Sequence, residues 1–281
     1  MKTTRFACVS VMVLGVACGG GAAPAEGETA ATSGSETTVV AEPEPEPPPP
    51  PRPVQVRVLH LAAGAAGATV NASAGPASVS DVAFKSASAY VELQPPAEQG
   101  TVPVQVSAGE AQATFEAPYR AGVPATVIVV SNPEDPSQIV VTATEDDPTT
   151  VMGQLRGRFV NALLGAPAID FCLPGAGRRD PARPIFTGVQ YGQVAGTETP
   201  TRYIPVSLAG GGRLQIRAAA EQGCTGRVIG TAEIPAPDPN VAHNLTLAVV
   251  GRTSGRPAVA RELLVCEDAP NPSSCTAIPL R

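Results

Sequence analysis

Tryptophan is absent from the 281 residues, aromatics make up only 4%, and histidine occurs twice. A core with so few rings must be assembled from Val, Ile, Leu and Ala, and the β-branched members of that set suit strands. Charge is sparse too: Asp, Glu, Lys and Arg together are 16%, with a net charge of -6. Nucleic-acid backbones are gripped by clustered Lys and Arg that displace counterions, so this balance excludes nucleic acid as a partner. Also missing are a Gly-x-Ser-x-Gly elbow, a His-Glu-x-x-His motif, a phosphate-cradling Gly-rich loop followed by Lys, and any Cys-x-x-Cys pair. Those absences argue against the commonest hydrolase, zinc and nucleotide chemistries and imply no cofactor. Only His60 and His243 could supply an imidazole base, and each lies in or at the start of an apolar strand-like run. No segment offers a ten-residue amphipathic helix.

What is abundant is proline and glycine, 31 and 28 residues respectively, which points to a linker and many turns. The N-terminus opens with Lys2 and Arg5, and Phe6 to Val16 is an apolar run of signal-peptide length, too short to span a bilayer. It ends in Leu14-Gly15-Val16-Ala17-Cys18, similar to a lipobox, with small Ala17 before the scissile bond and Cys18 as acceptor of diacylglycerol. Ordinary signal-peptidase cleavage nearby is the alternative, because Gly15 stands where a branched apolar residue is usual. Residues 1–17 are thus expected to be a lipoprotein signal peptide and Cys18 a membrane anchor. Residues 18–53 lose all hydrophobic period and end in a Pro/Glu run, which favours an extended, disordered spacer of polyproline II character. A ligand for a polyproline-binding module is the other reading. Gly19 is not the aspartate that retains some lipoproteins at the inner membrane, so the outer membrane of a Gram-negative cell is the expected location.

After Pro53 short β-rich runs recur: Val54 to Leu61, Ala68 to Ala72, Ala89 to Leu93, Val102 to Val106, Ala125 to Ser131 and Ile139 to Ala143. Val102, Val104 and Val106 alternate with Pro103 and Gln105, as a strand with one buried face requires. A second series begins near Leu155 and aligns with the first. Arg57 to Val70 matches Arg158 to Phe171 without a gap, setting Gly64 against Gly165 and Thr69 against Asp170. Further on, Val82 meets Val189, Tyr90 meets Tyr203, Val104-Gln105-Val106 meets Leu214-Gln215-Ile216, and Thr126 to Val130 meets Thr246 to Val250. The fold expected is all-β: two tandem immunoglobulin-like β-sandwich domains, residues 54–150 and 151–281.

The run Arg57-Val58-Leu59-His60, with Ala166-Pro167-Ala168-Ile169-Asp170-Phe171 and the later Phe84, Tyr90, Tyr191-Gly192 and Tyr203, resembles the bacterial domain of unknown function 4397. Most of residues 54 to 265 is covered. Members of that family look like extracytoplasmic, anchored, often tandem β-domains. The resemblance implies a polar site involving His60 and Asp170, with His60 replaced by Asn161 and Asp170 by Thr69 between the halves.

Four cysteines remain in the second half, and export favours two disulfides. Of three pairings, Cys172 with Cys224 and Cys266 with Cys275 is preferred, since Cys172 is in a strand near a turn-borne Cys224 and the last pair closes a short loop. The acidic group Glu145-Asp146-Asp147 with Glu134-Asp135 is a candidate calcium cluster. Anchor, spacer and paired β-domains together imply a non-enzymatic cell-envelope binding protein. Protein partners are favoured over polysaccharide, because no tryptophan platform exists. A structural or adhesive spacer is the second reading, and a hydrolase using His60 or Asp170 the third.

Overall fold

The computed structural model describes residues 49–149, 152, 155–175, 181–195, 202–206, 212–236, 243–255, 258–268 and 275–281. The signal peptide, Cys18 and most of the proline-rich segment lie outside those residues, as does the junction at Thr150. Pro48–Arg281 forms one compact unit.

The first half contributes β1 (Val54–His60), β2 (Val70–Ala74), β3 (Ala77–Val82), β4 (Val91–Leu93), β5 (Gln99–Ala108), β6 (Ala111–Arg120), β7 (Ala125–Ser131) and β8 (Ile139–Glu145). The second contributes β9 (Leu155–Leu164), β10 (Ile169–Leu173), β11 (Arg183–Val189), β12 (Val194–Ala195), β13 (Ile204–Pro205), β14 (Gly212–Ala218), β15 (Val228–Ile234), β16 (His243–Arg252), β17 (Glu262–Glu267) and β18 (Cys275–Pro279). The one helical element among the described residues is a short 3-10 turn, Ala63–Ala65. In the first half the sheets run β4-β1-β7-β8 and β3-β2-β5-β6. In the second they run β12-β9-β16-β17-β18, with β13 also on β9, and β11-β10-β14-β15.

The all-β sandwich holds. In each half the first strand is central and parallel to a late strand, β1 with β7 and β9 with β16. An immunoglobulin constant domain instead sets its first two strands side by side in one sheet.

Side-chain alternation explains the layering. Val58, Val127 and Val129 face the β3-β2-β5-β6 sheet in one core, and Phe159, Leu247 and Val249 face the β11-β10-β14-β15 sheet in another. Their neighbours Leu59, Ile128, Val130, Val160, Ala248 and Val250 face the other way and pack together in a third core, where the halves meet. The two inner sheets are therefore buried on both faces, which is why Ala125–Ser131 and nearly all of Leu155–Leu164 are buried at successive positions instead of alternate ones. Among the described residues the Phe–Phe contacts belong to the second half, Phe159 with Phe171 at 4.8 Å and with Phe186 at 5.4 Å. Valine and alanine fill most of the first core.

Two expectations need correction. The segments forming β3 and β6 are missing from the runs read as strands, because Ser78, Ser80 and Asp81 make up half of Ala77–Val82, and Ala111–Arg120 contains Pro118. Pairing across the hairpin, rather than apolar content, holds them: every residue of β6 is in register with β5. The gap-free match of Arg57–Val70 to Arg158–Phe171 also fails beyond the first strand. Val70 pairs with Val82 and Ile169 with Val189, so Val70 corresponds to Ile169, not Phe171. The connection in the first half is two residues longer, and the 3-10 turn absorbs the excess. Gly165 turns with φ +79°, whereas Gly64 lies in that turn.

Candidate functional site

His60 ends β1 and is fully buried. Its Nε2 lies 3.2 Å from the Ala68 carbonyl, and its Nδ1 accepts from the Ala62 amide at 3.3 Å. Asn161 does the same work in the second half: its Oδ1 accepts from the Leu163 amide at 3.2 Å, and its Nδ2 donates to the Val189 carbonyl at 2.9 Å. Each side chain ties the chain leaving the first strand, where an apolar loop would otherwise leave backbone groups unpaired. Burial pushes the His60 imidazole below the ordinary histidine pKa, against the pull of the Ala68 and Ala65 carbonyls.

That shift makes a pH prediction. The unfolded chain binds a proton on His60 more readily than the folded one, so His60 contributes stability above about pH 6.5 that is lost as pH falls through its folded pKa. Urea midpoints measured downward from neutral pH should fall more steeply for the parent than for His60→Asn, the residue the second half uses. Equal slopes would mean that the imidazole stays solvated.

Asp170 is also fully buried and is likewise spent on backbone: Oδ1 accepts from the Gly188 amide and Oδ2 from the Cys224 amide, both at 2.8 Å. Gly188 has φ +67° and Cys224 φ +52°, so Asp170 holds two left-handed turns. With the corrected register its counterpart is Asn71, not Thr69. Asn71 Oδ1 accepts from the Asp81 amide at 2.9 Å, and Asp81 takes the Gly188 position with φ +59°. His60 and Asp170 thus bind different turns in different halves. Asp170→Asn, which turns one acceptor into a donor facing an N–H, should cost about 1–3 kcal/mol in urea unfolding. Exposed Asn71→Ala should cost well under that.

The disulfides join Cys172 to Cys224 and Cys266 to Cys275, the preferred pairing. Cys266 and Cys275 sit opposite each other on β17 and β18, so this bridge closes a hairpin.

A constellation not singled out as a site lies between the halves. Arg57 and Arg158 occupy equivalent places on β1 and β9, and both are completely buried. Arg57 Nε donates to Thr126 at 2.9 Å, its Nη1 to the Glu267 carbonyl at 2.7 Å, and its Nη2 pairs with Asp268. Arg158 mirrors this: Nε to Thr246 at 2.8 Å, Nη1 to the Glu145 carbonyl at 3.1 Å, Nη2 to Asp146 at 2.6 Å. Each arginine therefore reaches into the opposite half. The acceptors are held in turn by their own halves: Thr126 and Tyr90 donate to Asp146 at 2.7 and 2.6 Å, and Thr246 and Tyr203 donate to Asp268. Burial pushes the Tyr203 phenol well up, keeping it a donor against the opposing field of Arg158. Such an exchange, residue i to j and j to i, is the signature of an isologous interface. Arg57, Arg158, Thr126, Thr246, Tyr90 and Tyr203 are all aligned in the sequence. Their meaning was hidden because strand alternation places an arginine on a face without saying that another sheet covers it.

This arrangement also dissolves the candidate calcium cluster. Asp146 belongs to Arg158, Glu145 pairs with Arg120, Asp147 pairs with Arg156 at 2.7 Å, and Asp135 Oδ1 accepts from Ser137. Among the described residues no three His, Cys, Asp or Glu side chains gather to hold a metal.

Several openings remain among the described residues. His243 lines a crevice of about 170 Å³ with mostly apolar walls, its Nδ1 2.9 Å from Glu267 Oε1. A larger cleft of about 620 Å³ lies on the outer face of the β3-β2-β5-β6 sheet and is lined by Asn, Ser, Gln and Thr with small apolar residues between.

Residues 54–172 match the family model described as Domain of unknown function (DUF4397), the family that the opening strands resemble. The match takes in the whole first half together with β9 and most of β10, a shorter span than residues 54 to 265. No curated protein matches the chain.

Proposed function

We propose that this chain, carrying a DUF4397 match over residues 54–172, is a non-enzymatic binding module of the bacterial cell envelope. In this reading Cys18 anchors it by lipid to the outer membrane, residues 18–53 hold the body off the bilayer, and residues 54–150 and 151–281 are two fused copies of one domain. The observation that carries it is the reciprocal Arg57–Asp268 and Arg158–Asp146 interlock, which spends the inner faces on joining the halves and leaves the outer sheets to meet a partner. A non-catalytic role is supported by His60 and Asp170, both committed to backbone hydrogen bonds.

Three measurements test it. Metabolic labelling with a fatty acid should tag the parent and not Cys18→Ala, and equal labelling of both would remove the anchor. Protease shaving of intact cells should release body peptides if the body is displayed outward, whereas protection until permeabilisation would place it in the periplasm. Photo-crosslinking residues placed at Gln105 and at Arg213 test the outer faces in living cells. A defined adduct from Gln105 supports a binding module, and none from either face supports the second reading, a structural or adhesive spacer.

A further inference from the structure

We propose that the cleft on the outer face of the β3-β2-β5-β6 sheet binds a neutral, hydroxyl-rich polymer, a polysaccharide laid across the strands. The inference rests on the reading of this chain as a binding module and names the ligand class of one face.

The sheet register arranges the cleft's side chains in rows. Ser73 stands opposite Ser78 on one side and Gln105 on the other, and Gln105 is in turn opposite Thr114. One pleat further along, Asn71 is opposite Ser107, and Ser107 is opposite Gln112. Neighbouring strands are ~4.8 Å apart and alternate residues ~6.8 Å apart, so a ligand crossing the sheet meets a polar side chain every ~4.8 Å over ~14 Å. Hydroxyls and amides both donate and accept, as do the hydroxyls of a sugar.

None of the cleft's lining residues is charged. The corresponding face of the second half differs sharply: Arg213 meets Glu233 at 3.1 Å, and Arg217 bonds Gln215 beside it. The halves share their inner faces and diverge on their outer ones, so neutrality is particular to the first half's cleft. An anionic polymer would find no counter-ion there, because the lining has no Lys or Arg and the flanking charges, Asp81 and Glu116, are themselves acidic. A folded protein partner would find no aromatic or arginine anchor of the kind that dominates protein interfaces.

The test is native affinity electrophoresis of the full-length mature protein in detergent, in gels containing dextran, hydroxyethylcellulose, galactomannan or, as the charged comparison, alginate. The expected result is retardation by at least one neutral polymer, insensitive to salt because no ion pair is involved. The double variant Gln105→Ala/Gln112→Ala should bind about tenfold more weakly, the loss of two hydrogen bonds. Arg213→Ala should bind as the parent does, and equal unfolding midpoints establish that all three are folded. Retardation by none of the neutral polymers, by alginate alone, or equally in the double variant would overturn the proposal. A protein adduct from Gln105 without glycan retardation would overturn the glycan and leave the binding module standing. Absence of both would overturn the two together.

Discussion

Replacing Arg158 by Met should lower the unfolding free energy by about 3–5 kcal/mol, the usual cost of leaving a buried counter-charge alone. The stranded group is Asp146, fully buried and still held by Thr126 and Tyr90 but without its cation. Burial works against the Arg158 charge, yet the charge and hydrogen bond of Asp146 help to outweigh it and the guanidinium pKa is raised, so deprotonation is not an escape route for the arginine. Arg57→Met should act similarly through Asp268. The diagnostic comparison is the double variant Arg158→Met/Asp146→Leu. A buried ion pair removed whole and replaced by apolar volume often costs little, so the double variant should be more stable than Arg158→Met alone. Urea unfolding of the four proteins gives the cycle. A loss below about 1 kcal/mol for Arg158→Met would mean that water reaches the network, as at a surface pair. Because the network joins the halves alongside the apolar core between them, these variants are also the ones expected to separate a single unfolding transition into two.

The second large effect belongs to the disulfide between Cys172 and Cys224. It closes a sequence separation of 52 residues, against 9 for Cys266 and Cys275. Loop-closure entropy for such lengths predicts about 4 kcal/mol for the long loop and about 2.6 kcal/mol for the short one. Cys172→Ala/Cys224→Ala should therefore lose more stability than Cys266→Ala/Cys275→Ala. The expected loss for the first pair is about 2–4 kcal/mol, since the Asp170 bond to the Cys224 amide survives and holds the turn in part. The reverse order, measured by thermal unfolding at one pH, would show that the short bridge matters for more than chain entropy. Cys266 is part of the core where the halves meet and precedes Asp268 by two residues, so such a reversal would act through a displaced Asp268.

Much of the fold was legible along the chain. Alternation in Val102–Val106 identified a half-buried strand, and the order of matching runs identified two like halves. Even six of the eight side chains that build the shared network, all but Asp146 and Asp268, were aligned correctly, because the same register between β1 and β7, and between β9 and β16, keeps Arg57 beside Thr126 and Arg158 beside Thr246. The candidate site was less legible. His60 and Asp170 attracted attention as polar residues in apolar runs, and the structure gives both to backbone amides and carbonyls. A polar residue in a strand has the same appearance in sequence whether it faces a ligand or caps a turn, since the partner is a backbone group that every residue possesses.

The sequence by itself determined the material and the local geometry: an aromatic-poor, β-forming chain, alternating faces, turns placed by glycine and proline, and cysteines spaced for two bridges. Only the tertiary structure decided what each face meets. Whether the outward side of β1 touches water or β9 depends on contacts roughly a hundred positions away in the chain. So it was the docking of the two inner sheets that turned Arg57 and Arg158 from surface charges into a buried exchange, and left the neutral cleft facing outward. Local pattern sets the direction of a side chain, while its free energy depends on the dielectric and the partners at its end.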